Sequence, residues 1–234
     1  MENNTVKDRI IYEDNHIIVI NKLPGELVQG DTTGDITLAD DVKAYLKNEY
    51  KKPGNVYLGI PHRLDRPTSG LVVYAKTEKA LKRLCETFRQ GNAKKIYWAI
   101  TDRAPSKPEG TLVHYLMRDS KKNKSYATPV EKNGSKLAKL DYRLLAASKS
   151  FFLVEIDLLT GRHHQIRAQF AAINVHIKGD LKYGAKRSNK DGGISLHARQ
   201  ISFPHPVKKE MITLTADPPH DVVWDAFMSA KPAE

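Results

Sequence analysis

The stretch IPHRLDRPTSGLVVYAK, from Ile60 to Lys76, places a strongly charged loop directly before an apolar run. Four charged or titratable side chains fall within five consecutive residues of this loop, and Pro67 and Gly70 follow them. The run GLVVYAK is typical of a short buried strand. The loop is therefore either a solvated turn held by local ion pairs or a display of one carboxylate, that of Asp65, for chemistry.

Strand and helix patterns continue on both sides of this strand. RIIYEDNHIIVINK predicts two strands around a turn at Asp14, and AKLDYRLLAAS with SFFLVEIDLL predicts a hairpin of two long strands. Two amphipathic helices follow Thr37 and Thr77, which are plausible N-caps, and a third helix is predicted from about Gly161 to Ile173. HDVVWDAF predicts a final short helix. Because strands and helices do not alternate regularly, the pattern predicts an α+β fold, a single domain with a mixed, largely antiparallel sheet, a few flanking helices and a central cleft.

The charge balance is strongly basic. The chain carries 38 Lys and Arg against 27 Asp and Glu, a formal net charge of +11, and its 40% hydrophobic content is enough for a sizeable core. A basic surface of this kind is typical of nucleic-acid binding, although a basic protein without a polyanionic partner has the same composition.

Cysteine and hydropathy patterns point to a reducing compartment. Cys85 is the single cysteine, which excludes an intrachain disulfide, and its place in ALKRLCETF predicts a buried packing residue. No apolar run approaches the roughly 20 residues that span a bilayer, and the first ten residues lack a signal-peptide core. We expect a cytoplasmic protein with no membrane association.

The segment TGRHHQIRAQFAAI, from Thr160 to Ile173, could supply a partner for Asp65. At roughly 100° per residue on a helix, Ile166 and Phe170 face inward and Arg167 lies at the border of that stripe. An Arg that leans inward needs a carboxylate, because a buried unpaired charge is very costly. Pairing with Asp65 would lower the carboxyl pKa and keep the group ionised.

Tyr97 and a set of basic residues could contact a nucleic acid. On a strand, Tyr97 faces the opposite side from Trp98, where it is either a packing residue or a flat ring for a nucleobase, worth roughly 1–3 kcal/mol per stacked base. Each basic residue taken singly is more often merely solvated, but together they would form a strip for phosphates. The members of this strip are Arg63, Arg66, Lys94, Lys95, Arg162, Lys182, Lys186 and Arg187.

Other kinds of site find little support. His163 and His164 are adjacent, would point about 100° apart on a helix, and have no further ligand at zinc-like spacing, so no metal site is predicted. The sequence has no phosphate-binding glycine loop and no serine in a nucleophile elbow.

The motif HRLDRPTSG resembles the central motif of the RluA family of RNA pseudouridine synthases. NKLPGELV, KIYWAI, TGRHHQIR, KGDLKYG and SLHARQISFPHP resemble the other landmarks of that family in the same order, from about residue 9 to residue 217. The resemblance implies a catalytic domain over residues 9–217, with an N-terminal tail at 1–8 and a C-terminal extension at 218–234. Members of the family often carry an extra N-terminal RNA-binding domain, but we expect no separate one here, because the matching pattern begins at about residue 9.

The resemblance also assigns roles. It implies that Asp65 is the catalytic nucleophile, that Tyr97 stacks on the target uracil and that Arg167 holds the Asp carboxylate. Arg63 would enter the RNA where the base leaves, and Ile166 would line the uracil pocket. The expected site is therefore Asp65, Tyr97 and Arg167 for catalysis, with Arg63, Arg162 and Ile166 for RNA or substrate binding.

The reaction that the resemblance implies is the isomerisation of a uridine in structured ribosomal or transfer RNA. It consumes nothing and oxidises nothing, so it requires no cofactor, metal or nucleotide. RNA is the expected partner, no obligate protein partner is evident, and a monomer is the default. Leu23, Gln169 and the segment INVHIKGD depart from the usual family pattern. They leave the pocket wall and the target sequence undetermined.

Two rival functions remain open at this point. A non-catalytic RNA-binding module would need the basic surface but not the pairing of Asp65 with Arg167. A hydrolytic nucleosidase or base glycosylase would use the same carboxylate and release free uracil.

Overall fold

The computed structural model describes residues 5–30 and 34–229 of the 234-residue chain. The chain forms two compact units. The first takes in the chain up to Ala93 together with Arg199–Asp217, and the second takes in Lys94–Ala198 together with the chain from Pro218 onward. Each unit therefore combines segments that are far apart in the sequence.

The described residues contain ten strands and four α-helices, with short 3₁₀ turns at Lys7–Arg9 and Leu181–Tyr183. In chain order the elements are β1 (Ile10–Glu13), β2 (Ile17–Lys22), α1 (Leu38–Glu49), β3 (Ser69–Ala75), α2 (Glu78–Arg89), β4 (Lys94–Thr101), β5 (Glu109–Asp119), β6 (Lys124–Thr128), β7 (Lys136–Ala147), β8 (Phe152–Asp157), α3 (Gln165–Ala172), β9 (Leu196–Pro204), β10 (Met211–Thr215) and α4 (Val222–Ser229).

The first unit is built on strands in the order β1-β2-β3-β9, with β10 paired to β9. β3 is buried along its whole length, as the continuous apolar run GLVVYA predicts. Leu71 and Val73 of β3 pack with Ile17 and Val19 of β2 and with Leu84 of α2. The predicted turn between β1 and β2 is confirmed, because the Asp14 carboxylate accepts hydrogen bonds from the backbone N–H groups that follow it.

The predicted caps of both helices in this unit are confirmed. Thr37 and Asp40 form a capping box at the start of α1, and the Thr77 hydroxyl accepts from the Ala80 backbone N–H at the start of α2. The predicted burial of Cys85 is wrong, because its side chain is exposed. The buried stripe of α2 runs through Ala80 and Leu84, which places the following residue on the solvent side.

The second unit has the strand order β4-β8-β7-β5-β6. β4, β8, β7, β5 and β6 pair antiparallel throughout, and β7 with β8 is the predicted long hairpin. One face of the sheet carries α3, where Ala168 packs with Leu116 and Ala138. A separate hydrophobic cluster buries Trp224 and Phe227 of α4 against Ile100 and Leu153. The predicted C-terminal helix is thus confirmed.

The predicted bounds of α3 are partly wrong. The helix begins at Gln165, not near Gly161, because His164 takes a left-handed conformation with φ of 52°. All six residues from Gln165 to Phe170 are buried, so Arg167 lies inside the core and not at the border of an apolar stripe. Burying polar side chains in a helix is costly unless they are hydrogen-bonded, so the polar residues of α3 need partners.

The α+β class and the largely antiparallel sheet are confirmed. Within residues 5–30 and 34–229, no helix combines the length and the apolar composition that crossing a membrane would require.

Candidate active site

Asp65 lies in the first unit, in the loop that leads into β3. Its side chain is half-buried, whereas Arg63 and Arg66 on either side of it are exposed. The Asp65 carbonyl accepts a hydrogen bond from the Thr68 N–H at 3.0 Å, which closes a tight turn around Pro67. The carboxylate is therefore carried by a short, internally bonded loop and not by a flexible excursion.

The ammonium group of Lys22 holds this loop from inside the unit. Lys22 is the last residue of β2 and is 0% exposed. Its Nζ donates to the carbonyl oxygens of Arg66 at 2.9 Å, Thr68 at 2.7 Å and Leu23 at 3.0 Å. Because an ammonium group has three N–H donors, each finds one backbone acceptor and the geometry is fully satisfied. Two of these carbonyls, those of Arg66 and Thr68, follow Asp65 along the chain, so Lys22 fixes the backbone on the C-terminal side of the carboxylate.

Burial has an electrostatic consequence for Lys22. Loss of water lowers its pKa to about 7, and the negative charges of Glu26 and Asp65 counteract this effect. Sequence reasoning missed Lys22, although it lies in the landmark NKLPGELV.

Two further contacts anchor the start of the loop. The His62 ring accepts a hydrogen bond from the Val73 N–H at Nε2, 2.9 Å away, and packs on Phe88 of α2 with ring centroids 4.7 Å apart. Arg66 is bound locally, because its guanidinium donates to the Gly25 carbonyl and to Asp35. Arg66 therefore makes local contacts, while both Arg63 and Arg66 stay exposed.

The second unit carries the other predicted catalytic residues. Tyr97 lies on β4, opposite Ile156 of β8, and its side chain is 8% exposed. Ile166, in the first turn of α3, is 4% exposed. Both side chains are therefore enclosed within the second unit.

Arg167 makes a buried, two-pronged ion pair with Asp180. Its Nε and Nη2 donate to the two carboxylate oxygens at 2.7 and 2.8 Å, and the side chains are 5% and 1% exposed. The Arg167 guanidinium also lies over the Tyr183 ring, 4.9 Å from its centroid. The prediction that Arg167 needs a carboxylate is right, but Asp180 provides one from its own unit. The pairing with Asp65 stays a prediction.

A polar network surrounds this ion pair. The rings of His163 and His164 stack with centroids 3.8 Å apart, contrary to the divergence expected on a helix, because the chain is not yet helical there. His164 Nδ1 contacts the Tyr183 hydroxyl at 3.0 Å, and that hydroxyl donates to the Ser125 carbonyl. Since the hydroxyl proton is used on Ser125, His164 carries its proton on Nδ1 and donates it. Burial, with Arg167 and His163 nearby, lowers the pKa of His164 to about 2.

The remaining members of the predicted strip divide by exposure. Lys94 pairs with Asp157, and burial lowers the pKa of Lys95. Arg162 is exposed at its tip while its Nε donates to the Leu137 carbonyl. Lys94 and Arg66 are exposed but ion-paired, and the other exposed members are Arg63, Arg162, Lys182, Lys186 and Arg187.

One departure from the family pattern acquires a structural meaning. Gln169, where the family often has His, is fully buried and its amide nitrogen lies within hydrogen-bond distance of the Leu112 and Ala138 carbonyls. Gln169 thus ties α3 to β5 and β7. Across the described residues, no group of three or more His, Cys, Asp or Glu could hold a metal ion.

Comparison with known proteins establishes the family. A sequence model described as RNA pseudouridylate synthase matches residues 16–172, which is more than half of the chain. This chain belongs to the RNA pseudouridylate synthase family. The predicted resemblance and the predicted enzyme class are confirmed at that level.

Named relatives cover most of this chain. It is 36% identical over 215 residues to an uncharacterised RNA pseudouridine synthase of Synechocystis sp., which is 90% of this chain and 65% of the relative. It is 31% identical over 223 residues to ribosomal large subunit pseudouridine synthase D of Zymomonas mobilis, 91% of this chain and 70% of the relative. The chain thus spans about two thirds of the length of these relatives.

Solved structures agree on the fold. Human RNA pseudouridylate synthase domain containing 4 superposes with a TM-score of 0.79 at 24% identity, covering 95% of this chain and 93% of that one. Human RNA pseudouridylate synthase domain containing 1 gives a TM-score of 0.74 at 24% identity, over 97% and 90%.

Replacing Lys22 with Met tests its hold on the loop. We expect the free energy of unfolding to fall by at least about 2 kcal/mol, because buried carbonyls lose charged donors. Urea denaturation measures the change, and Lys47→Met on the exposed side of α1 is the control. Equal stabilities of the two variants would contradict the role assigned to Lys22.

His164 predicts an acid-sensitive stability. Its pKa is about 2 in the folded chain, below the ordinary 6.5, so the unfolded chain binds an extra proton between these values. The free energy of unfolding should therefore fall as the pH drops below about 6.5, by at most about 1.4 kcal/mol per pH unit from this group.

Urea denaturation of His164→Asn between pH 4 and pH 7 measures this contribution. We expect a shallower pH dependence than in the wild type, with His220→Asn, at an exposed histidine, unchanged. Superimposable pH profiles of wild type and His164→Asn would refute the assignment.

Proposed function

We propose that this chain converts a specific uridine of structured RNA, in the first instance ribosomal RNA, to pseudouridine, with Asp65 as the nucleophile and the target base flipped out of its stack. Family membership supports the reaction class. The observation that carries the assignment of Asp65 is the buried Lys22 ammonium, which fixes the backbone on the C-terminal side of this one carboxylate.

The choice of ribosomal RNA is supported by the names of relatives. Two relatives at 31% identity are named ribosomal large subunit pseudouridine synthases D and C. Transfer RNA is the alternative substrate. A cytoplasmic location, a monomeric state and action without an obligate protein partner accompany this proposal as predictions.

The chemistry needs few groups. The bond from N1 of uracil to C1′ of ribose breaks, the base turns, and a bond from C5 to C1′ forms while the proton on C5 is lost and N1 gains one. An ionised carboxylate can add at C1′, add to the uracil ring, or assist formation of a glycal. Because water is not a reactant, the second activated carboxylate of a glycosidase is unnecessary.

The base must leave the stack before a carboxylate reaches the sugar. Flipping costs a few kcal/mol and is cheapest in loops or mismatches, which favours structured RNA with such features. Arg63 is exposed and two residues before Asp65, which suits a side chain that fills the gap in the stack. The exposed cations, among them Arg162 and Lys182, would add affinity for phosphates that declines with salt.

The uracil pocket would use enclosed residues of the second unit. Tyr97 offers an aromatic face for the base, Ile166 an apolar wall, and Arg167 a hydrogen-bond partner for the Asp65 carboxylate. Burial raises the pKa of a carboxyl group, so donors such as Arg167 must compensate for the lost water. This division matches their low exposure.

The first test is site-resolved pseudouridine mapping of ribosomal and transfer RNA from cells with and without the gene. Loss of one or a few sites in ribosomal RNA is expected. Loss confined to transfer RNA would show that transfer RNA, and not ribosomal RNA, is the substrate. Release of free uracil by the purified protein would show that the reaction is hydrolysis of the base and not isomerisation. An unchanged map with RNA binding intact would support the non-catalytic RNA-binding module.

Asp65→Asn should bind RNA within about twofold of the wild type but lose the single-turnover rate at least about a thousandfold, because the attacking group is gone. The matched control is Asp225→Asn, at an exposed carboxylate of α4. Pseudouridine formation by Asp65→Asn at a rate near that of the wild type would exclude the nucleophile role.

Arg167→Met should lose activity at least about a hundredfold and lower the free energy of unfolding by about 3–5 kcal/mol, because it leaves the Asp180 carboxylate buried without its partner. Urea denaturation and single-turnover assays separate the two effects. Arg103→Met, which removes an exposed ion pair with Asp102, should change stability by less than about 1 kcal/mol.

The double variant Arg167→Met/Asp180→Asn tests whether Arg167 contributes to activity apart from its contribution to stability. It should regain part of the lost stability, since no unpaired charge remains, and stay inactive. A double variant with wild-type activity would show that Arg167 serves the fold alone.

A further inference from the structure

We propose that Asp180 is a positioning residue for the reaction: its buried carboxylate fixes the orientation of the Arg167 guanidinium, and that orientation, more than the positive charge, is what Arg167 contributes to the active site. This inference rests on the proposed role of Arg167 as partner of Asp65. Neither sequence patterns nor family membership assigns a role to Asp180.

The geometry of the pair determines where the rest of the guanidinium points. A guanidinium is planar and carries five N–H groups in fixed directions. Asp180 engages Nε and one N–H of Nη2, which together form the side edge of the plane. Once that edge is held at two points, the directions of Nη1 and of the second Nη2 hydrogen are set as well.

Backbone hydrogen bonds hold the segment that carries the Asp180 carboxylate. The Asp180 N–H donates to the Ile177 carbonyl, and the Asp180 carbonyl accepts from the N–H groups of Tyr183 and Ala185, each at 3.0 Å. The same segment is bonded to β4, since the Lys178 N–H donates to the Ile100 carbonyl at 2.8 Å. The segment that carries the Asp180 carboxylate is thus fixed relative to β4, the strand that also carries Tyr97.

A second restraint acts on the plane of the guanidinium. The Tyr183 ring lies under Arg167, and the Tyr183 hydroxyl is bonded to both the N–H and the carbonyl of Ser125. His164 donates to the same hydroxyl. The ring therefore cannot swing away without breaking several buried hydrogen bonds, which limits the tilt of the guanidinium.

The charges decide between orientation and electrostatics. Arg167 and Asp180 together have no net charge, so Arg167 does not reach its next partner as an isolated cation. If Arg167 acted only through its charge, Asp180 would weaken it and removal of the Asp180 charge would strengthen it. If orientation is what matters, the same change should slow the reaction. The two accounts predict effects of opposite sign.

Asp180→Asn tests the inference, because asparagine keeps the shape but cannot accept two charge-assisted hydrogen bonds. We expect the single-turnover rate, corrected for the folded fraction, to fall at least tenfold, since small misplacements of a catalytic group slow reactions strongly. The apparent Kd for the target RNA should stay within twofold. The control is Asp221→Asn, which weakens another ion pair of the same unit, that with Lys178, and should lower Tm without changing the rate of the folded protein.

A rate within twofold of the wild type, a faster rate, or a loss no larger than that of Asp221→Asn at equal folded fraction would each overturn the inference. If Asp180→Asn does not fold, Asp180→Glu decides, because glutamate keeps the negative charge opposite Arg167 but displaces the carboxylate by one methylene group. A tenfold or greater loss supports the inference, and a smaller one overturns it.

Asp65→Asn assayed in parallel separates this inference from the proposed function. An inactive Asp65→Asn with a fully active Asp180→Asn overturns the positioning role alone. An active Asp65→Asn overturns the proposed nucleophile and with it the role of Asp180.

Discussion

The placement of one ammonium group inside the first unit is the constraint on which the display of Asp65 depends. Lys22 has no exposed surface, and its three donors are all used by backbone carbonyls. A buried lysine of this kind is costly unless every donor is satisfied, so the loop cannot rearrange without leaving the charge unpaired. The desolvation of Lys22 thus enforces the conformation of the neighbouring loop.

The second unit also contains a buried cation, Arg167, and neutralises it with Asp180. Arg167 lies in a helix whose first six residues are all buried, so its charge must be neutralised within the core. Asp180 does this from a turn bonded to β4, and Tyr183 in the following 3₁₀ turn supports the guanidinium plane. In both units, a predicted site residue takes part in or lies beside a buried charge whose partners are all within that unit.

Much of the architecture could be predicted from local patterns. The caps Thr37 and Thr77, the turn at Asp14 and the apolar run of β3 follow from rules that involve only neighbouring residues. The start of α3 could not be predicted in this way, because no local pattern signals the left-handed conformation of His164, whose side chain contacts Tyr183, nineteen residues later. The exposure of Cys85 was missed because a stripe estimated from periodicity is uncertain by one residue at its edge.

The site, like the fold, was only partly predictable from local sequence patterns. Charge and motif order indicated Asp65, Arg63 and Arg167 as residues of interest, but not which buried groups would hold them. Lys22 lies in NKLPGELV and Asp180 in KGDLKYG, but nothing in the local sequence distinguishes either residue from an ordinary surface charge. Their significance appears only with burial, since a charge that has lost water must find a partner, and that partner is fixed in place by the same necessity.

The basic residues of this protein therefore do two kinds of work. Lys22 and Arg167 are buried and bound to acceptors within their own units, where a phosphate cannot reach them. Arg63, Lys186 and Arg187 are exposed and carry charge into solvent, where a polyanion can reach it. The net charge of +11 sums both kinds and so overstates the surface available to RNA. Salt should accordingly weaken RNA binding through the exposed set while leaving the geometry held by the buried set intact, because buried pairs are screened far less than exposed ones.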